Sequence, residues 1–145
     1  MDDRGPPHST TQVRVRYAET DQMGVVSHAN YLVYFELARV DLLAAAGIRY
    51  RDLEGRGFLL AVTEATCRYL GGARYDDPLA VEAWLVERGA ARIVLAYRIR
   101  HEETSRVLVE GSTELACLGD NFRPRRMPDD VCSALDRLAR GNVTP

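Results

Sequence analysis

Residues 30–47 read "NYLVYFELARVDLLAAAG", a stretch with no glycine or proline before Gly47. Asn30 is a favoured N-cap residue type and Gly47 a favoured stop, so both ends carry the punctuation of a helix. Apolar side chains fall on nearly every side of it, and Glu36, Arg39 and Asp41 are the charges in its interior. Such a helix is expected to be wrapped by protein rather than laid on a surface. Glu36 and Arg39, three residues apart, have the spacing of an ion pair.

On the N-terminal side, "QVRVRYA" (12–18) alternates Val13, Val15 and Tyr17 with Arg14 and Arg16, the period of a half-buried strand. Residues 1–11 read as a disordered tail, and 12–140 as a single domain. A short helical turn is expected at "YRDLEG" (50–55). Four strand-like runs follow, "FLLAVTEATCRYL" (58–70), "LAVEAWLVER" (79–88), "ARIVLAYRIRH" (91–101) and "RVLVEGSTELACL" (106–118), separated by turns bearing Gly, Asp or Pro. The brevity of those turns points to antiparallel neighbours, since a parallel return needs a long crossover. Within 92–100, Ile93, Leu95, Tyr97 and Ile99 share one face and Arg92, Arg98 and Arg100 the other, as in a sheet with one wet side. Strand, helix, then four strands imply an α+β fold in which an antiparallel sheet of about five strands curls around the helix. "PDDVCSALDRLAR" (128–140), with Pro128 at its start and acids in its first turn, reads as a short C-terminal helix.

Composition excludes several classes of protein. With 145 residues, 46% of them hydrophobic and 28% charged, the chain can bury a core without metal or disulfide. Cys67, Cys117 and Cys132 are odd in number, with no C-x-x-C pair, which fits buried thiols in a reducing, cytoplasmic setting. No run approaches the roughly 18 apolar residues of a membrane helix, and "MDDRGPPHST" lacks the apolar core of a signal peptide. A formal charge of −2 argues against a general nucleic-acid binder and for small-molecule partners.

Just ahead of the helix, and running into it, lies "YAETDQMGVVSHANYLVYFE" (17–36). Its D-x-x-G-V-V-x-H-x-x-Y pattern, with Thr20-Asp21, Gly24-Val25-Val26, His28, Asn30-Tyr31 and Phe35-Glu36, resembles the hotdog-fold thioesterases of the 4-hydroxybenzoyl-CoA thioesterase group. It is most similar to their bacterial acyl-CoA branch associated with the Tol-Pal cluster. The likeness continues through "VTEATCRYLGGARYDDPLAVEAWL" to "FRPRRMP". Two departures are visible: Ser27 stands where relatives often carry an aromatic residue, and Gly72 where they usually have proline, which implies a looser turn.

The resemblance implies hydrolysis of acyl- or aryl-CoA thioesters, with acyl carrier protein as another carrier, no metal and no organic cofactor. It implies a homodimer or a dimer of dimers with each site built from two chains. Asp21 is then the catalytic carboxylate and His28 its assistant, while Gly24, Val25, Val26, Ser27 and Tyr31 line the substrate. The chemistry is coherent residue by residue. Thioester cleavage needs an activated water or nucleophile and a stabiliser for the oxyanion. A carboxylate serves the first by taking a proton from water or by attacking the thioester carbon, and the residues leave both routes open. The helix start after Val26 serves the second through its unpaired N–H groups and positive dipole end. Plainer roles stand beside these: Asp21 as a turn cap, His28 as a loop brace, Tyr31 and Phe35 as core.

Of the remaining motifs, "HEETS" (101–105) fails the zinc pattern because Ser105 stands where the second histidine belongs, and no glycine-rich phosphate loop is present. "NFRPRR" (121–126) is a basic run; Arg123 and Arg125 suit the phosphates of coenzyme A, or form a solvated loop before the last helix. Two other activities on the same fold remain open, a non-hydrolytic acyl-CoA binding module and a hydratase or dehydratase, the latter disfavoured because no second histidine accompanies the Asp21 motif.

Overall fold

The computed structural model describes residues 4–141. Five antiparallel strands form one sheet: β1 (Ser9–Arg14), β2 (Leu59–Tyr69), β3 (Pro78–Arg88), β4 (Arg92–His101) and β5 (Val107–Leu118), in the spatial order β1-β3-β4-β5-β2. Three helices accompany it: α1 (His28–Ala45), α2 (Tyr50–Gly55) and α3 (Asp129–Ala139). Helix α1 packs against both edge strands, β1 and β2. Four strand spacings amount to about 19 Å, and a helix is only about 10–12 Å wide. A helix can touch both edges only if the sheet curls around it.

The inward face of β4 is the one read from its alternation, with Ile93, Leu95, Tyr97 and Ile99 fully buried. The ring of Phe35 from α1 stacks on Tyr97 with centroids 4.3 Å apart and planes 8° from parallel. Gly111 on β5 makes room for this, since a Cβ there would stand 2.3 Å from the Thr66 carbonyl oxygen and 2.7 Å from Phe35 Cε2. On the outer face, Glu82 accepts bonds from Arg98 Nε (2.8 Å) and Arg100 Nη2 (2.7 Å). Helix α3 buries Val131, Cys132, Ala134, Leu135 and Leu138 and is tied to β3 by Arg88 and Asp136.

Several expectations need correction. The segment expected as a tail is partly sheet: β1 begins at Ser9, where Ser9, Thr10 and Thr11 pair with Ala83, Glu82 and Val81. Backbone pairing to β3 holds this polar run, which has no apolar alternation to reveal it. Gly5 and His8 are also engaged, accepting from Trp84 Nε1 (3.0 Å) and Leu85 N–H (2.8 Å), while residues 1–3 lie outside the described range. The strand ends at Arg14, and a 3-10 turn over Tyr17–Glu19 leaves Tyr17 exposed rather than inward with Val13 and Val15.

Strands β2 and β3, read as neighbours across their connection, are not paired; β5 and β4 lie between them. That is a displacement of about 14 Å, and the eight residues 70–77 can span about 26 Å when extended. Partner choice therefore fell to β2's pairing with β5. The β3–β4 and β4–β5 hairpins are as read.

Helix α1 starts at His28, not Asn30, with Ser27 at the N-cap. Its two sides also differ. Tyr31, Tyr34, Phe35, Ala38, Arg39, Leu42 and Leu43 are buried, whereas Leu32, Val33, Leu37 and Val40 are exposed, so a single chain does not enclose it. Arg39 does not pair with Glu36. It turns inward, where Nε donates to the Tyr50 hydroxyl (3.0 Å) and Nη1 to that of Tyr97 (3.3 Å).

Candidate active site

The segment between the 3-10 turn and α1 is a small antiparallel loop in which Thr20 faces Val26 and Val25 faces Arg74. Asp21 opens its tip. The Asp21 N–H donates to the Val25 carbonyl (2.9 Å), its carbonyl accepts from Gly24 N–H (3.0 Å), and its Oδ1 accepts from Met23 N–H (2.8 Å). The turn closes because Gly24 adopts φ +80°, a left-handed conformation that glycine reaches without a Cβ clash. Asp21 therefore does cap its own turn, but with one oxygen. Its side chain is exposed, and Oδ2 has no hydrogen-bond partner among the described residues.

The loop is fastened to the helix start and to the β2–β3 connection. Val26 N–H donates to the Ala73 carbonyl (2.9 Å) and Ser27 N–H to the Glu19 carbonyl (2.9 Å). Gly72 packs against this loop: a Cβ there would meet Val25 Cγ1 at 3.0 Å, so the turn expected to be loose is tightly seated. At the first turn of α1, Asn30 N–H bonds back to the Ser27 carbonyl (2.9 Å), while Ser27 makes no side-chain cap. The N–H groups of His28 and Ala29 have no acceptor among the described residues. Those two donors sit at the positive end of an 18-residue helix, next to the Asp21 loop.

Around them, His28 is exposed, its ring edge-on to Tyr69 at 6.3 Å, and its carbonyl accepts from the Tyr69 hydroxyl at 3.3 Å. Tyr17 and Tyr75 form an exposed edge-to-face pair at 5.7 Å, with exposed Met23 on the loop tip, so apolar surface lies beside the carboxylate. Val26 and Tyr31 are core residues, 3% and 2% exposed, and the Tyr31 hydroxyl accepts the Ala73 N–H (3.2 Å). Burial pushes the Tyr31 hydroxyl's pKa up.

Arg123 and Arg125 are elsewhere. Arg125 lies over the Phe58 ring (4.0 Å) and donates to the Gly57 carbonyl (3.3 Å), at the opposite end of β2 from Tyr69. The length of the strand, roughly 33 Å, separates that end from His28 within one chain.

Two residues at the site were not singled out from the sequence. Tyr69 shares a face of β2 with Cys67, but nothing in sequence ties it to His28. Glu19 is 7% exposed, and its carboxylate accepts from Arg16 N–H and the Tyr34 hydroxyl. Its three-residue spacing from Arg16 was the one available hint.

A family model described as the thioesterase-like superfamily matches residues 15–135. The chain belongs to that superfamily. Among solved structures, the DHNA-CoA thioesterase of Staphylococcus aureus superposes with a TM-score of 0.83 at 34% identity, covering 94% of this chain and 96% of the other. The acyl-CoA thioesterase YbgC of Haemophilus influenzae is 31% identical over 128 residues, 87% of this chain and 93% of the relative. The acyl-acyl carrier protein thioesterase ATL3 of Arabidopsis thaliana is 30% identical over 129 residues, 89% of this chain and 68% of the relative. The curled sheet around α1 is the hotdog fold of these thioesterases, as the Asp21–Tyr31 motif led us to expect. No described helix is long and apolar enough to cross a membrane.

Proposed function

We propose that this chain hydrolyses acyl- or aryl-CoA thioesters to the free acid and coenzyme A, with Asp21 as the reacting carboxylate and the first turn of α1 as the oxyanion site. One observation carries the reading: the loop that leads into α1 presents an exposed carboxylate whose Oδ2 has no hydrogen-bond partner among the described residues, and the first two N–H groups of that helix likewise have no acceptor among them. In the general-base route, Asp21 takes a proton from water and the hydroxide adds to the thioester carbon. Negative charge then gathers on the former carbonyl oxygen, which the His28 and Ala29 N–H groups meet. Collapse breaks the C–S bond, and the departing thiolate takes up the proton. A donor of this kind is commonly worth about 3–4 kcal/mol in the transition state. In the nucleophilic route Asp21 itself adds to the carbon, the C–S bond breaks to release the thiolate, and water then cleaves the resulting mixed anhydride, supplying the proton that the thiolate takes up. Hydrolysis in ¹⁸O-water under single turnover separates the two, since only the anhydride route can leave label in the Asp21 carboxylate.

The working unit on this reading is a homodimer or a dimer of dimers. Strand β2 is a sheet edge, and the outward face of α1 presents Leu32, Val33, Leu37 and Val40, surface that a second copy would cover. Antiparallel β2–β2 pairing about a two-fold axis would bring the Phe58 end of one chain beside the Tyr69 end of the other. Arg123 and Arg125 would then serve the neighbour's substrate, where a guanidinium fork matches coenzyme A phosphates.

The test is release of free thiol by the pure protein from a panel of acyl- and aryl-CoAs and an acylated carrier protein, with Asp21→Asn alongside. Turnover that is lost in folded Asp21→Asn supports the reading and ranks the carriers. Tight binding without turnover would identify a binding module instead, and a change in enoyl absorbance a hydratase or dehydratase.

A further inference from the structure

Among the described residues, Glu19 is one of three buried charged side chains, with Arg39 and Glu82. Its Oε1 accepts two bonds, from the Arg16 N–H (2.8 Å) and the Tyr34 hydroxyl (2.9 Å), while Oε2 meets the exposed Arg16 Nη2 (3.3 Å). Its backbone carbonyl accepts two more, from Ser27 N–H (2.9 Å) and Asn30 Nδ2 (3.1 Å). Glu19, in the 3-10 turn, is therefore bonded to that turn's own N-cap residue Arg16, to Ser27 and Asn30 at the start of α1 and, through Tyr34, to the second turn of that helix. Asp21 follows two residues later.

We propose that Glu19 is a positioning residue: through Oε1 it locks the base of the Asp21 loop to α1 and so sets the carboxylate against the His28 and Ala29 N–H groups. The inference rests on the reading of Asp21 and the helix start given above. Asp21 must reach the thioester carbon, directly or through water, while the N–H groups meet that carbon's oxygen, and tolerances in such constellations are about 0.5 Å. The backbone bonds to Ser27 and Asn30 survive any substitution at 19. The Tyr34 tie does not. Without it, the 3-10 turn that leads into the Asp21 loop loses its side-chain tie to the helix that carries the donors and is held there by the Ser27 and Asn30 bonds alone.

The side chain's geometry makes the inference testable by chemistry rather than by stability alone. In Glu19→Gln the amide oxygen can take the place of Oε1 and keep both of its bonds, losing only the exposed contact to Arg16. In Glu19→Ala both go. Tyr34→Phe removes one and leaves the carboxylate in place, with little change of shape. The measurement is kcat and KM for the best thioester of the panel, per folded protein, with circular dichroism and thermal unfolding in parallel.

Glu19→Ala is expected to lower kcat by roughly 10- to 100-fold, the scale of a misplacement on the order of 1 Å, with KM within about twofold of wild type. Glu19→Gln should recover most of that loss, and Glu19→Ala/Tyr34→Phe should be no slower than Glu19→Ala, because the two changes break one bond. If Glu19→Ala does not fold, Tyr34→Phe alone decides, with a kcat about three- to tenfold lower expected from the loss of a single bond. A melting point that falls while kcat per folded protein stays at the wild-type value would overturn the proposal, as would a Gln variant as slow as Ala. Wild-type turnover in Asp21→Asn would instead remove the underlying site assignment. An inactive Asp21→Asn beside a fully active Glu19→Ala would defeat this inference alone.

Discussion

The hydroxyl of Tyr69, at the end of β2, donates to the backbone carbonyl of His28, the first residue of α1, across 3.3 Å. The bond joins an edge strand to the helix end whose first N–H groups we propose as the oxyanion donors. The neighbouring Cys67 thiol, together with burial, pushes the Tyr69 hydroxyl up to about 12, so it stays protonated and remains a donor through the neutral range. Tyr69→Phe is expected to lower kcat about fivefold, the kinetic equivalent of one bond worth about 1 kcal/mol. Steady-state kinetics on the folded variant checks this, and an unchanged kcat would detach Tyr69 from the site.

Asp21→Asn is nearly isosteric, and its turn bond from Met23 N–H can be kept by the amide oxygen, so the fold should persist. Turnover should drop by roughly 10²–10⁴. His28→Ala should cost less, because its contribution to the helix start is a backbone N–H that the substitution leaves in place. A greater loss at His28 than at Asp21 would mean that the two roles are exchanged.

Gly111→Ala places a methyl group 2.3 Å from the Thr66 carbonyl oxygen, under the Phe35–Tyr97 stack. Strand β5 or helix α1 must move. Overpacking of this kind costs about 3 kcal/mol, or about 10 °C in melting temperature for a chain of this size. Thermal unfolding decides, and an unshifted midpoint would refute the packing argument.

Glu82 links the outer face of β3 and β4. Burial works to raise its pKa, but the bonds from Arg100 and Arg98 outweigh it and hold the carboxyl below its ordinary value of 4.5. A carboxyl whose pKa is depressed in the folded state stabilises fully above its unfolded value, and that contribution fades as pH falls through the folded one. Melting temperature should therefore fall as acid is added below about pH 4.5. Glu82→Gln should start lower at neutral pH and descend less steeply. Parallel acid slopes in the two proteins would count against it.

Activity should decline on dilution below the dimer dissociation constant. Mixing wild type with Asp21→Asn should produce heterodimers that retain one working site each. Sedimentation of a fully active monomer would refute the shared-site arrangement.

The alternation of Ile93, Leu95, Tyr97 and Ile99 and the long glycine-free run before Gly47 made the central hairpin and the helix legible, because periodicity records which side of an element meets the core. The Asp21–Tyr31 motif likewise marked the loop and the helix start. Glu19 and Tyr69 were not legible, because their partners, Tyr34 and the His28 carbonyl, lie 15 and 41 positions away. The inward turn of Arg39 was hidden for the same reason: Tyr50 and Tyr97 come together only after folding.

The sequence by itself determined the α+β class, the inward face of β4, the long helix before Gly47 and the loop that holds Asp21, all of which follow from local pattern. Only the tertiary structure decided that β2 pairs with β5 rather than β3, that Ser9–Thr11 belong to the sheet, that α1 has an uncovered side, and that Arg125 sits a strand's length from His28. Strand partners and helix surroundings depend on contacts between residues distant in the chain, and backbone N–H and C=O groups, the same at every non-proline position, leave no trace in residue type of which strand they meet.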